Sequence, residues 1–239
     1  MYASIRNCNL VIENIDQSPV EENTKQRLLA EARFVRASAY FILYNLHGPV
    51  PLRLSTEDEM ELPRATEQEL QTFLEQELKA AADILPEKGE LPEYEYGRAT
   101  KGAALGYLTK FYLNTKQWQK CAETAQDLID LDNYSLWPDY TTLFAKENEE
   151  INNEYIFVHA AVITGPGNQY MNGAFPPNFK STLDGNIVWT SNMRNWARQD
   201  RLYDSFYNSF DPEDQRRNLI VTEYIARNGD TISLLNQDN

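Results

Sequence analysis

The chain has 239 residues, enough to bury a substantial core as one large domain or two smaller ones, and its 36 acidic against 22 basic side chains give a formal charge of -14. That charge disfavours nucleic acid and anionic lipid surfaces as partners, because affinity for either begins with Lys and Arg neutralising phosphates. No apolar run approaches the roughly 20 residues that span a bilayer, and Cys8 and Cys121, far apart and without a CxxC pair or Cys/His cluster, read as small core residues.

Ile5, Cys8, Val11, Ile12 and Ile15 recur at helical steps and predict a first helix that ends before Ser18-Pro19. It runs straight on from Met1-Tyr2-Ala3-Ser4, with neither a basic start nor a signal-type apolar segment, as if a longer protein had been entered partway along. A long second helix is expected from about Glu22 to Leu46, its apolar stripe formed by Leu28, Ala32, Val35, Ala39, Ile42 and Leu46. His47-Gly48-Pro49-Val50-Pro51 stops it, since glycine suits the C-terminal cap and proline cannot continue the hydrogen-bond ladder. The third helix opens on the capping box Thr66-Glu67-Gln68-Glu69 and carries Leu70, Leu74, Leu78, Ala81 and Leu85 on one face before Pro86.

Arg98 to Thr115 and Gln117 to Leu131 read as a helix, a tight turn and a second helix with the residue pattern of a tetratricopeptide unit. Tyr112 and Trp118 are expected to pack between the two, and small Cys121 and Ala125 to let them approach. Ala103, Ala104 and Gly106 mark a face where another helix should come close. The fold class expected is mainly α: a tetratricopeptide-like helical scaffold over 1–132, then a loop-rich α+β region over 133–239 that ends in a short β-hairpin.

Beyond Asn133 the pattern changes. Glu154 to His159 is a short β-type run, and the Gly-, Pro- and Asn-rich stretch to about Asn195 has no periodicity. Long loops of this kind are functional or disordered, and Tyr170, Phe175, Phe179, Trp189 and Trp196 favour an ordered, functional one. Trp189 and Trp196 are the candidate platform on which pyranose faces stack, beside Tyr170, with Asn192, Arg194 and Asn195 offering hydrogen bonds to hydroxyls. The competing role for both tryptophans is packing in a core or at a domain boundary. A short helix is expected over Gln199 to Asn208, and two strands around Asn228-Gly229 within Leu219 to Leu235. A lone hairpin is marginal, which places its partner strands beyond the end of this chain.

Catalytic signatures are missing. His47 and His159 are the only histidines and lack metal-ligand spacing, Gly165-Pro166-Gly167 lacks the rest of a dinucleotide loop, and neither GxxxxGK[ST] nor GxSxG occurs. A glycosidase needs only two carboxylates, but nothing singles out a pair among the acids, which read as solvated helix faces. No enzyme activity, cofactor or metal is expected.

Leu29-Ala-Glu-Ala-Arg33-Phe34-Val-Arg36-Ala37, His47-Gly48-Pro49-Val50-Pro51-Leu52, Leu62-Pro63-Arg64-Ala65-Thr66 and Gly97-Arg98-Ala99-Thr100-Lys101-Gly102-Ala103-Ala104 resemble, in order and spacing, the SusD/RagB family of Bacteroidetes. So do Ala80-Ala-Asp-Ile-Leu85-Pro86, Tyr134-Ser-Leu136-Trp-Pro138-Asp139-Tyr140 and Phe210-Asp-Pro-Glu-Asp-Gln-Arg216-Arg217. The resemblance implies a tetratricopeptide-like scaffold with a less regular ligand region. It further implies a lipoprotein on the outer face of the outer membrane that captures oligosaccharide without catalysis and delivers it to a SusC-like TonB-dependent transporter. The alternative is a protein-interaction scaffold that docks the transporter without binding glycan. Against the family pattern, no acylated N-terminal cysteine is present, Cys8 lying inside a helix pattern, and the C-terminal part reads as cut short. No ligand residue is carried over from the family.

Overall fold

Residues 1–59, 61–143, 152–159, 175–176, 178–190 and 202–235 are described by the computed structural model of the protein. They fall into two compact units, Met1–Leu136 with Asn153–Ala160 and Trp137–Asn152 with Ala161–Asn239.

In the first unit α1 (Tyr2–Asn14), α2 (Glu22–His47), α3 (Glu67–Ile84), α4 (Lys101–Asn114) and α5 (Trp118–Asp130) follow one another, each packed on the next. Their boundaries have local causes. The Thr66 hydroxyl accepts from the Glu69 N–H at 3.2 Å while the Glu69 carboxylate accepts from the Thr66 N–H at 2.7 Å, satisfying two donors that the first turn of α3 leaves without partners. Thr100 caps α4 through the Ala103 N–H at 3.1 Å, and the Gly48 N–H closes α2 on the Tyr44 carbonyl at 2.9 Å. Tyr44, late in α2, meets Glu67 and Gln71 at the start of α3, whereas Arg36, mid-α2, meets Glu77 further along it, so the two helices run in opposite directions.

The apolar stripe of α3 is as expected: Leu70, Leu74, Leu78, Ala81 and the following Leu85 are all buried. The stripe of α2 is not. Ala32 and Ala39 are buried, but Val35, Ile42 and Leu46 are exposed, at 42%, 39% and 65%. Packed on both α1 and α3, α2 instead turns inward a broad arc of Ala30, Phe34, Ala37, Tyr40, Phe41 and Leu43 together with Arg36. Burying three rings outweighs burying scattered aliphatics, at about 25 cal/mol per Å² of apolar surface.

Tyr112 is buried as expected, but Trp118 is 60% exposed. The inward positions of α5 go to Thr124, which is buried, and to Cys121, Ala125 and Leu128, which are half-buried. The Cys121 thiol reaches the Thr109 carbonyl of α4 at 3.6 Å, a close approach of the kind expected for this small residue. Ala103 and Ala104 are buried in the helical core where α4 packs on its neighbours, as expected, whereas Gly106, and Gly102 before it, lie against non-helical chain. A Cβ on Gly102 would stand 2.0 Å from Tyr134 Oη, and one on Gly106 would stand 3.3 Å from Ile156 Cγ2. Residues 154–159 form no strand: Phe157 packs edge-to-face on Phe34, 5.2 Å between centroids, burying its ring on the helices without a sheet.

The second unit contains a three-stranded antiparallel sheet in the order β1 (Phe179–Thr182), β2 (Glu223–Ala226), β3 (Thr231–Ser233). The expected hairpin is β2–β3, with Tyr224 opposite Ile232 and Gly229 at φ 95°, a backbone region that suits glycine at the turn. Its partner strand is β1, supplied by this chain rather than from beyond it, with a register irregularity between Phe179 and Ser181. Phe179, Tyr224 and Ala226 are buried on one face with Phe175. Within the expected 199–208 helix, Asp204–Tyr207 is helical, and 199–201 lie outside the described residues.

Candidate functional site

Trp189 is held by a return of the chain onto β1. After β1, Asp184 organises the turn: its carboxylate accepts from Thr182 Oγ1 at 2.5 Å, from the Asn186 N–H at 3.0 Å and from Asn186 Nδ2 at 2.7 Å. These bonds, that of Thr182 first, keep the Asp184 carboxyl below its ordinary range. The Thr182 N–H then donates to the Ile187 carbonyl at 2.9 Å and the Trp189 N–H to the Lys180 carbonyl at 2.8 Å. The indole is thereby fixed against the small core of Phe175, Phe179 and Tyr224, half-buried.

Over that indole lies a cation: Arg227 Cζ is 5.2 Å from the ring centroid, and the Arg227 N–H donates to the Asn178 carbonyl at 2.9 Å, which anchors the residue at the end of β2. Trp189 thus has the packed body of the competing role weighed for it, with a half-buried ring margin and a guanidinium alongside. Such a pair can offer a saccharide a π-face and hydrogen-bond donors together. The remaining candidates, Tyr170, Asn192, Arg194 and Trp196, lie outside the described residues, so only Trp189 is placed.

A second set of rings in this unit was not singled out from the sequence. Tyr203 is 78% exposed and Phe206 49% exposed. Phe206 meets Phe210 edge-to-face at 5.1 Å, Arg216 lies over Phe210 at 5.1 Å and Arg217 over Tyr207 at 4.5 Å. Asp214 orients Arg216 through bonds of 2.5 to 3.0 Å, which hold the Asp214 carboxyl below its ordinary range. The available signal was the spacing of Tyr203, Phe206, Tyr207 and Phe210, which puts an aromatic residue on each of several successive turns just before the Arg216-Arg217 pair. Among the described residues no group of His, Cys, Asp and Glu is placed to hold a metal ion.

The family model described as "Starch-binding associating with outer membrane" matches residues 1–113. SusD-like protein P25 of Formosa agariphila is 29% identical over 202 residues, 81% of this chain and 37% of its own length. A SusD-like carbohydrate binding protein from Bacteroides fragilis superposes with a TM-score of 0.63 at 30% identity, over 66% of this chain and 31% of that one. Surface glycan-binding protein A from Bacteroides uniformis shares the fold over all of this chain, with a TM-score of 0.78 at 22% identity, covering 51% of its own length. The chain spans between 26% and 37% of the length of the curated relatives it matches.

Proposed function

Because the chain belongs to the SusD/RagB family, we propose that it serves as a non-enzymatic glycan-binding subunit, capturing oligosaccharide at the outer face of the outer membrane for a SusC-like TonB-dependent transporter. The observation that carries this reading is the coincidence of the family match with two aromatic sets in the second unit, Trp189 under Arg227, and exposed Tyr203 and Phe206 next to the Tyr207 and Phe210 rings that Arg217 and Arg216 cover. Stacking of sugar C–H faces on such rings, with partly hydrated polar contacts at their edges, gives modest affinity per site and tolerance of repeating units. No helix among the described residues is long and apolar enough to cross a membrane, and the proposed attachment is through a lipid anchor. Cys8 is not that anchor's attachment point, being 7% exposed within α1.

The division of labour proposed for the two parts, a helical frame over 1–132 and a ligand region over 133–239, assigns transporter docking to the frame. Exposed Trp118, Ile129, Leu46 and Leu113 supply apolar contact area there. The test is retention on glycan-loaded gels and calorimetry across a glycan panel, with the wild type, Trp189→Ala and Trp196→Ala. Retention of one glycan class and its loss in the variants supports the platform; equal retention by both variants removes it. Release of reducing ends by the purified chain would overturn the non-enzymatic assignment. Silence across the panel together with co-purification of the transporter would favour the docking scaffold instead.

A further inference from the structure

Arg33 and Arg36 stand about one turn apart on α2, and only Arg36 has a counterpart on α3, donating to Glu77 at 2.6 Å. The two helices run in opposite directions, so three residues back along α2 corresponds to three residues on along α3, and Arg33 stands level with Ala80. A second small residue, Ala30, lies one turn before Arg33 on its own helix. Two alanines on facing helices leave space that larger side chains would fill, and a cleft of about 260 Å³ opens there.

Aliphatic Leu29, Ala30, Ala80 and Ile84 line this cleft together with Arg33 and Asp83. Arg33 Nε is buried and has no hydrogen-bond partner among the described residues. Neither Arg33 nor Asp83 forms an ion pair among the described residues, with each other or elsewhere. Glu31, two residues before Arg33, is engaged by Arg27 at 3.2 Å and by Arg98 at 2.5 Å, and Glu77 is engaged by Arg36. Each wall therefore carries one uncommitted charge, positive on α2 and negative on α3. A guanidinium N–H buried without an acceptor is costly to a folded chain, which points to an acceptor supplied from outside it.

We infer that this cleft binds a free aliphatic α-amino acid, its carboxylate on Arg33, its ammonium on Asp83 and its side chain against Leu29 and Ile84. Charge sets the class: one cation and one anion on opposite walls complement a zwitterion, whereas an anion or a cation alone would leave one wall unmatched. The lining argues against a sugar, because no aromatic residue among the described ones lines the cleft and ring stacking has no platform there. Its volume, below the ~300–1,000 Å³ of sites for drug-sized ligands, suits one small molecule rather than an oligosaccharide. The site lies within the helical unit and does not rest on the glycan-binding reading of the second unit.

The test is calorimetric titration of the whole chain with L-leucine, with isocaproate, which lacks the ammonium, with isoamylamine, which lacks the carboxylate, and with glucose. Leucine should bind, and the other three should bind about tenfold more weakly or not at all. Asp83→Asn, at an exposed position, and Arg33→Met should each weaken leucine about tenfold or more. Arg33→Met has a second readout. It removes a buried donor without a partner and keeps an unbranched side chain, so the melting temperature of the ligand-free protein should hold or rise.

A fall in that melting temperature would show that the guanidinium serves the fold, and would overturn the assignment. So would the absence of heat with leucine, unchanged leucine binding in Asp83→Asn, or isocaproate binding as tightly as leucine. Glucose competing with leucine would overturn the ligand class. Retention of glycans should be the same in Asp83→Asn as in the wild type, so this site and the glycan-binding reading fail independently.

Discussion

Arg36 of α2 and Glu77 of α3 meet inside the helical unit, with Nη2 2.6 Å and Nε 3.0 Å from the same Oε2, while Arg36 Nη1 reaches Asn9 of α1 at 2.8 Å. Three helices are thus registered by one ionic cluster whose side chains are 8% and 10% exposed. Removing one partner leaves the other charge buried and uncompensated, so Glu77→Leu should cost about 3–5 kcal/mol in urea unfolding. Arg36→Met with Glu77→Leu should recover most of that loss, since an apolar pair of similar volume avoids the desolvation of both ions. A double variant no more stable than Glu77→Leu would show that the cluster's worth lies in the pair itself.

Gly102 and Tyr134 form a second relationship that sequence cannot display. An added Cβ would lie 2.0 Å from Tyr134 Oη and 2.7 Å from its Cζ, so Gly102→Ala must displace the ring. The expected cost is about 1–3 kcal/mol, as for other overpacked sites. In a Tyr134→Ala background the same change should become neutral or stabilising by up to about 1 kcal/mol, because alanine is the better helix former. Thermal unfolding of the four proteins of this cycle measures the sign reversal.

The parts of this fold that could be read from sequence are those with local causes. The capping box at Thr66 and the leucine stripe of α3 sit within one helix, and Asn228-Gly229 fixes a hairpin by its own backbone preference. Which arc of α2 faces inward depends on having α1 and α3 as neighbours, so Val35, Ile42 and Leu46 carry a helical period and still face outward. Phe179-Lys180-Ser181-Thr182 is too short and too polar to announce a strand; it becomes one by pairing with β2. Trp189 was recognisable as an aromatic in a long segment, but Arg227 reaches its ring through the sheet, a contact with no local pattern behind it. Trp118 misled because its type suits packing, while its place at the first residue of α5 leaves it exposed.

Acid should loosen the α3–α4–α5 region through Glu75. Burial alone would raise this carboxyl, but hydrogen bonds from Lys79 at 2.7 Å, Lys120 at 3.0 Å and Tyr112 at 2.9 Å outweigh it and hold the group down to about 2 from its ordinary 4.5. A carboxyl depressed in the folded state adds stability that is fully present above its unfolded pKa and is lost as pH falls toward the folded one. Stability should therefore decline between about pH 4.5 and 2, and Glu75→Gln should flatten that decline while lowering stability at pH 7. Denaturation midpoints across this interval check it; parallel curves for the two proteins would show that other carboxylates dominate.

The two aromatic sets of the second unit differ in what their removal should do. Trp189 packs on the core of Phe175, Phe179, Tyr224 and Ala226, so Trp189→Ala should lower the melting temperature along with any glycan affinity, and binding measured well below that temperature separates the two losses. Tyr203 and Phe206 are exposed, so Tyr203→Ala should leave stability within about 0.5 kcal/mol, and Phe206→Ala should lose little beyond its contact with Phe210. If sugar rings stack there, each truncation should weaken glycan binding about tenfold, matching about 1.4 kcal/mol at a face otherwise open to water. Binding that survives both truncations at unchanged melting temperature would return the ligand to the Trp189–Arg227 pair, where Arg227→Ala then becomes the informative change: it bares the indole without emptying the core beneath it.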